Sequence, residues 1–255
     1  MKILAVGAHP ADIFDNAAGT LINHVKQGDE VHVVTLTHGA YSHAGALVYN
    51  DHLDIKDKKI KEFFEASLSM GLSRHDIYSL SFDDEPLIES IDIIKELAVL
   101  IQGIKPDVIL THHPNEYIHP DHGVCGNITL RAIKRAGRVV SKDLVEVRSI
   151  YMYGHQGRSL QGRLGHSRLY PDVVINVTDS MDKKREVLGK FVSQKYTKSY
   201  LDHRLMVVEG GFGFMHGYKF AEHFISLYPM KSDLLPNMQG VSVYSLINDL
   251  YEEDK

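Results

Sequence analysis

The chain holds one cysteine, Cys125, in 255 residues. No intramolecular disulfide can form, and the composition is compatible with a reducing cytosol. Long basic runs are missing too, and the formal net charge is -5. That argues against nucleic acid or an anionic membrane surface as a partner. No stretch is long and apolar enough to span a bilayer. The opening, MKILAVGAHPAD, does not read as a signal peptide, because its apolar run is short and a proline and an acidic residue follow at once. Internal repeats and low-complexity linkers are also lacking. What remains is the expectation of a cytoplasmic protein with a single domain over residues 1–255, a length sufficient to bury a full core. Its partner is expected to be a small-molecule substrate, and a homo-oligomer is compatible with everything so far.

What the chain does have is a regular alternation. A hydrophobic fraction of 44% and a charged fraction of 24% are ordinary for a globular protein. Short apolar runs predict strands near residues 3–6, 31–36, 76–82, 107–110, 147–153 and 173–177. Helical patterns fall between them, over 15–26, 53–70, 88–104, 123–136 and about 179–194, the last with Asp179 or Ser180 as its cap. Residues 155–169 and 198–217 read as irregular loops that could cover a site, with Gly210-Gly211-Phe212-Gly213 a flexible loop rather than a dinucleotide fingerprint. Strand and helix alternating through residue 136 imply an α/β, Rossmann-like three-layer sandwich with a mostly parallel central sheet. Ligands of such sheets bind beyond the carboxyl ends of the strands.

The chain carries 16 histidines, so only their grouping is informative. His9 and Asp12 follow the first strand, and His119-Pro120-Asp121-His122 ends the loop after the fourth. Two nitrogens and a carboxylate oxygen from strand tips that should be neighbours suit zinc, and they suit ferrous iron equally. Each cluster alone reads as a turn with a helix-capping Asp. Cys125 reads as a small buried residue rather than a nucleophile. His112 and His113 flank the fourth strand; one is expected to pack there, and neither is chosen as a ligand. Tyr41, Ser42 and His43 could face the pocket, and Arg158, Arg163 and Arg168 could grip a carboxylate if they point inward.

The stretches Ala8-His9-Pro10-Ala11-Asp12, Gly19-Thr20-Leu21, Val33 to Gly39 and His119-Pro120-Asp121-His122 resemble the PIG-L/LmbE family of zinc-dependent N-deacetylases. Val177-Thr178-Asp179, Met181 to Lys184 and Phe220 to Phe224 carry the resemblance further. The resemblance implies zinc on His9, Asp12 and His122, with His119 steadying the oxyanion and Asp121 orienting a neighbouring histidine. It also implies cleavage of an N-acetyl amide on a small polar or sugar-like molecule through metal-bound water.

One departure bears on that activity. The family pattern is His-Pro-Asp-Asp, with the first Asp as general base, and this chain has Ala11 there. Losing a positioned base costs on the order of 10²–10⁴-fold in rate. Either Asp15, Glu116 or His119 takes over, or the reaction is a different one, or the protein is an inactive metal-binding relative. A different reaction has a precedent: 4-oxalomesaconate hydratase is similar in its metal motif, it too lacks an Asp at that place, and it hydrates a carbon–carbon double bond.

Overall fold

The computed structural model describes residues 1–41, 52–116, 118–137, 145–154 and 171–229, with the backbone alone for 52–54. The chain enters as β1 (Lys2–Gly7), whose residues beyond Lys2 are buried on both faces. Ile3 and Ala5 join one core cluster, and Leu4 and Val6 join the other. This two-sided burial is why β1 reads as an unbroken apolar run rather than an alternating one. Then follow α1 (Asp12–Lys26), β2 (Glu30–Thr37), α2 (His52–Met70), β3 (Ile77–Phe82), α3 (Ile91–Ile104), β4 (Val108–His112), α4 (Pro120–Ala136) and β5 (Ser149–Tyr153). Strands β6 (Val173–Asn176) and β7 (Ala221–Ser226) close the sheet.

The seven strands lie in the order β3-β2-β1-β4-β5-β7-β6. Pairs β1–β2, β2–β3, β1–β4 and β4–β5 are parallel, while β5–β7 and β6–β7 are antiparallel. Helices cover both faces. Apolar residues of α1 and α2 pack into one cluster, with Phe14 against Phe63, and α3 and α4 supply the other with Leu97, Ile101 and Ile128. The fold is therefore the expected three-layer α/β sandwich. No described helix is long and apolar enough to cross a membrane.

Three local expectations are corrected. The helix expected over 179–194 is α5 (Met181–Leu188), preceded by a tight turn at Thr178–Ser180 and followed by another at Val192–Gln194. Ser180 stands at its N-cap, one of the two expected residues, but makes no side-chain cap bond; its hydroxyl instead donates to Asn23 Oδ1 at 2.6 Å. The segment 198–217, expected irregular, is helical: α6 (Lys198–Leu205), a π-turn at Met206–Gly210 and α7 (Gly211–His216). The glycines of 210–213 thus do not form the expected loop. A Cβ at Gly213 would come within 2.6 Å of the Tyr218 carbonyl oxygen, so this glycine lets α7 sit against the returning backbone. The expected boundaries also shift by a few residues: Ser90 caps α3 and His119 caps α4.

Candidate metal centre

In the sheet, β1 is flanked by β2 on one side and β4 on the other. The chain order reverses between β1 and β4, and a crevice opens beyond their carboxyl ends. The turn after β1 supplies His9, Pro10 and Ala11, and α1 starts at Asp12. The His9 amide donates to Asp12 Oδ2 at 2.7 Å, folding the carboxylate back over the turn. From β4 comes His112, its last residue, fully buried. The loop after it contributes Glu116, and α4 contributes Asp121 and His122 in its first turn.

Three imidazoles converge on the Asp12 carboxylate. His9 Nδ1 lies 3.2 Å and His112 Nε2 3.1 Å from Oδ2, and His122 Nε2 lies 3.5 Å from Oδ1. Each ring is held from behind through its other nitrogen. Asp121 Oδ2 sits 3.2 Å from His9 Nε2 and also accepts the Glu85 amide, while its Oδ1 accepts the Leu87 amide. Glu116 backs two rings at once, with Oε2 3.0 Å from His112 Nδ1 and Oε1 2.9 Å from His122 Nδ1. The His112 and His122 rings stack with centroids 4.0 Å apart. Carboxylates that fix ring orientation in this way are the usual backing of metal-binding histidines.

The protonation pattern follows. Burial alone would push the His122 pKa down, but Asp12 and Glu116 outweigh it and raise it to about 10. For His9 burial again opposes, and Asp12 and Asp121 carry the pKa to about 8. Burial would raise Asp12, yet His122, His9 and His112 hold its carboxyl well below the usual range. Asp121 is held at about 2 against burial by His9 and the two amides. These carboxylates draw two protons onto the imidazoles. Carboxylates and imidazoles converging on one point are also a donor set that fits a divalent cation.

Among the described residues, three trios bring ligand atoms within 4.8 Å of one another: His9, His119 and His122; Asp12, His112 and His122; and His9, Asp84 and Asp121. None of these trios holds all three expected ligands: His9, Asp12 and His122 each belong to at least one, and Asp12 contacts both histidines. Sequence alone does not single out His112 as a ligand, yet it contacts both Asp12 and Glu116. The signal available for it was its place at the tip of β4, the strand beside β1. His119, half-buried, accepts the Asp121 amide at Nδ1 over 3.3 Å. That leaves its proton on Nε2, and burial followed by His9 and His122 lowers its pKa. His119 is thus a neutral ring with an N–H to offer.

A cavity of about 250 Å³ opens beside this cluster, and Ala11, Asp15, His119, Gln194 and Tyr196 share its lining with His9, Asp12 and His122. Tyr41 is exposed, with its amide bonded to Asp84, and does not line the cavity. Ser42, His43, Arg158, Arg163 and Arg168, and the 155–169 loop, lie outside the described residues. Cys125 is fully buried in the α3–α4 core, as expected, and burial pushes its thiol pKa up.

Behind the cavity lies a charged network that the sequence did not reveal. Fully buried Lys184 donates to Glu222 at 2.6 Å, to Glu209 at 2.7 Å and to the Asp15 carbonyl at 3.0 Å. Glu222 accepts the amides of Gly19 and Thr20, tying α1 to β7 and α5.

The family model of the GlcNAc-PI de-N-acetylases, PIG-L, matches residues 4–133. The chain belongs to the PIG-L family. Over 195 residues it is 29% identical to a probable N-acetyl-alpha-D-glucosaminyl L-malate deacetylase 2 of Bacillus cereus, covering 75% of this chain and 83% of that protein. Over 204 residues it is 24% identical to the 4-oxalmesaconate hydratase of Pseudomonas putida, covering 77% and 75%. The crystal structure of GalB, the 4-carboxy-2-hydroxymuconate hydratase of Pseudomonas putida, superposes with a TM-score of 0.79 at 21% identity, over 92% of this chain and 99% of that one. The N,N'-diacetylchitobiose deacetylase of Pyrococcus horikoshii gives 0.73 at 19% identity, over 89% and 83%. At those identities the two structures speak for the fold. Deacetylases and hydratases thus share this architecture.

Proposed function

We propose that this PIG-L protein is a metal-dependent hydro-lyase, adding water to a carbon–carbon double bond conjugated to a carbonyl in a small polar molecule. The observation that carries the reading is Ala11. It lines the cavity at the position where the family's deacetylases carry a general base, and its methyl group can accept no proton. The 24% identity to a hydratase over about three quarters of the chain supports it.

His9, Asp12 and His122 would hold the metal, and the nitrogen and oxygen donors favour zinc. When bound, it would polarise a substrate oxygen and acidify water. The chain's own residues do the rest. Asp121 and Glu116 fix the rings of His9 and His122 in the orientation that turns their other nitrogens toward Asp12. His119 offers its Nε2–H to the carbonyl oxygen on which charge develops as water adds.

The N-deacetylase reading is favoured by the match to the GlcNAc-PI de-N-acetylase family model and by the 29% identity to the malate deacetylase over three quarters of the chain. Both readings are tested by giving the zinc-loaded protein 4-carboxy-2-hydroxymuconate and N-acetyl-alpha-D-glucosaminyl L-malate. Hydration of the first without acetate release from the second is expected. Acetate release alone would overturn the hydro-lyase, and turnover of neither would favour a metal-binding relative without activity.

A further inference from the structure

We propose that Asp15, working with the Tyr196 hydroxyl, takes the proton from the attacking water and so replaces the base that is missing at position 11. This rests on the functional reading above in that a water must be activated in this cavity. Both residues line that cavity with Ala11. Asp15 stands one helical turn beyond Ala11 on α1, its amide bonded to the Ala11 carbonyl at 2.9 Å. Residues four apart share a helix face.

The other two groups suggested by the sequence are already committed. Both oxygens of Glu116 are taken by His112 and His122. His119 accepts an amide at Nδ1 and carries its proton on Nε2, so it faces the cavity as a donor. Asp15 has no such commitment toward the metal cluster. Tyr196 donates to its Oδ2 at 2.7 Å, and Arg204 of α6 lies 3.2 Å from its Oδ1. Oδ1 makes no hydrogen bond among the described residues. Arg204 is a positioning residue, anchored by its own bond to the Asp15 carbonyl at 3.2 Å.

The charges around Asp15 suit the role. Burial raises its pKa above the ordinary aspartate value, Arg204, Tyr196 and Lys184 oppose this, and Asp12 adds to it. A carboxylate pushed toward neutrality is a better proton acceptor at working pH. In the step itself, the water oxygen bonds to the electron-poor carbon while one water proton passes to Asp15, directly or by way of the Tyr196 hydroxyl. The double-bond electrons move onto the carbonyl oxygen, giving an enolate that His119 steadies. The proton on Asp15 then returns to the carbon next to the carbonyl. One water has been added, and Asp15 is ionised again.

The test uses the full-length zinc-loaded protein with 4-carboxy-2-hydroxymuconate and the variants Asp15→Asn, Tyr196→Phe and Ala11→Asp/Asp15→Asn. Asp15→Asn is expected to lower kcat by about 10²–10⁴-fold with KM little changed. Tyr196→Phe should move the acidic limb of the pH–rate profile, and the double variant should recover part of the lost turnover. Asp15→Asn at the wild-type rate, with the native circular dichroism spectrum, would overturn the proposal. The wild-type-minus-Asp15→Asn infrared spectrum gives a second readout that needs no substrate. A carboxyl band persisting above the ordinary aspartate range is expected, and a group ionised throughout that range would overturn it. If the wild-type protein leaves the probe untouched, the hydro-lyase reading fails by itself, and the infrared titration still decides the case of Asp15.

Discussion

Asp12 stands where three imidazole nitrogens meet, and its neighbours behave accordingly. His112 is the member whose weight is easiest to measure, because it touches Asp12 and Glu116 and lines no part of the cavity. His112→Ala is expected to weaken zinc binding by roughly 10–100-fold, the usual scale for losing a group that orients metal ligands. A chelator-competition titration checks this, and unchanged affinity would remove His112 from the centre. His119 should behave differently. Its N–H acts on charge that develops during reaction, so His119→Ala is expected to keep zinc and lower turnover by about 10²–10³-fold. Zinc lost from that variant would make His119 a ligand and displace the assignment to His9, Asp12 and His122. At this scale the sequence was legible where two short motifs fell on neighbouring strand tips, as His9, Asp12 and His122 do. It was silent on His112, because a lone histidine ending a strand looks like any packed residue until β1 is known to lie beside β4.

At the level of elements, strand order brings the cluster together. Strands β1 and β4 are parallel neighbours, so their tips come together, and the chain just after β5 carries Gly154. This glycine has φ of +108°, and a Cβ on it would lie 2.5 Å from Glu116 Oε2. Gly154→Ala is thus expected to strain the backbone and push away the carboxylate that backs His112 and His122. Both thermal stability and zinc affinity should fall, read by calorimetry and metal titration on one preparation. Unchanged affinity would mean that Glu116 does not orient these rings. The alternating half of the chain was legible because buried strands and amphipathic helices differ in period. Beyond α5 the chain was not. Helix α6 has little apolar periodicity, α7 is rich in glycine, and the hold of Lys184 on Glu222 joins residues 38 apart in sequence. Nothing local announces a buried ion pair of that kind.

For the whole molecule, the centre couples stability to pH. In the metal-free protein His9 and His122 have pKa values raised from 6.5 to about 8 and about 10. A raised folded-state pKa contributes stability that is full below the unfolded value of 6.5 and fades as pH climbs through 8 and then 10. Asp12, Asp121 and Glu116 have depressed values, so their contribution is full above the unfolded values of 3.8 and 4.5 and fades as pH falls through their folded ones. The melting temperature of metal-free protein is therefore expected to be highest between about pH 4.5 and 6.5 and to decline toward pH 10. His122→Ala should flatten the alkaline decline. A wild-type profile flat from pH 6.5 to 10 would contradict the charge pattern.

The tips of β1 and β4 gather imidazoles that carry protons at neutral pH, and a cation held there would displace them. Calorimetric titration of the metal-free protein with zinc at pH 7, repeated in buffers of different ionisation enthalpy, tests it directly. The result expected is one zinc per chain with about two protons released, from His9 and His122, and neither event in a His9→Ala/His122→Ala variant. Zinc binding without proton release, or binding that survives in the double variant, would contradict it.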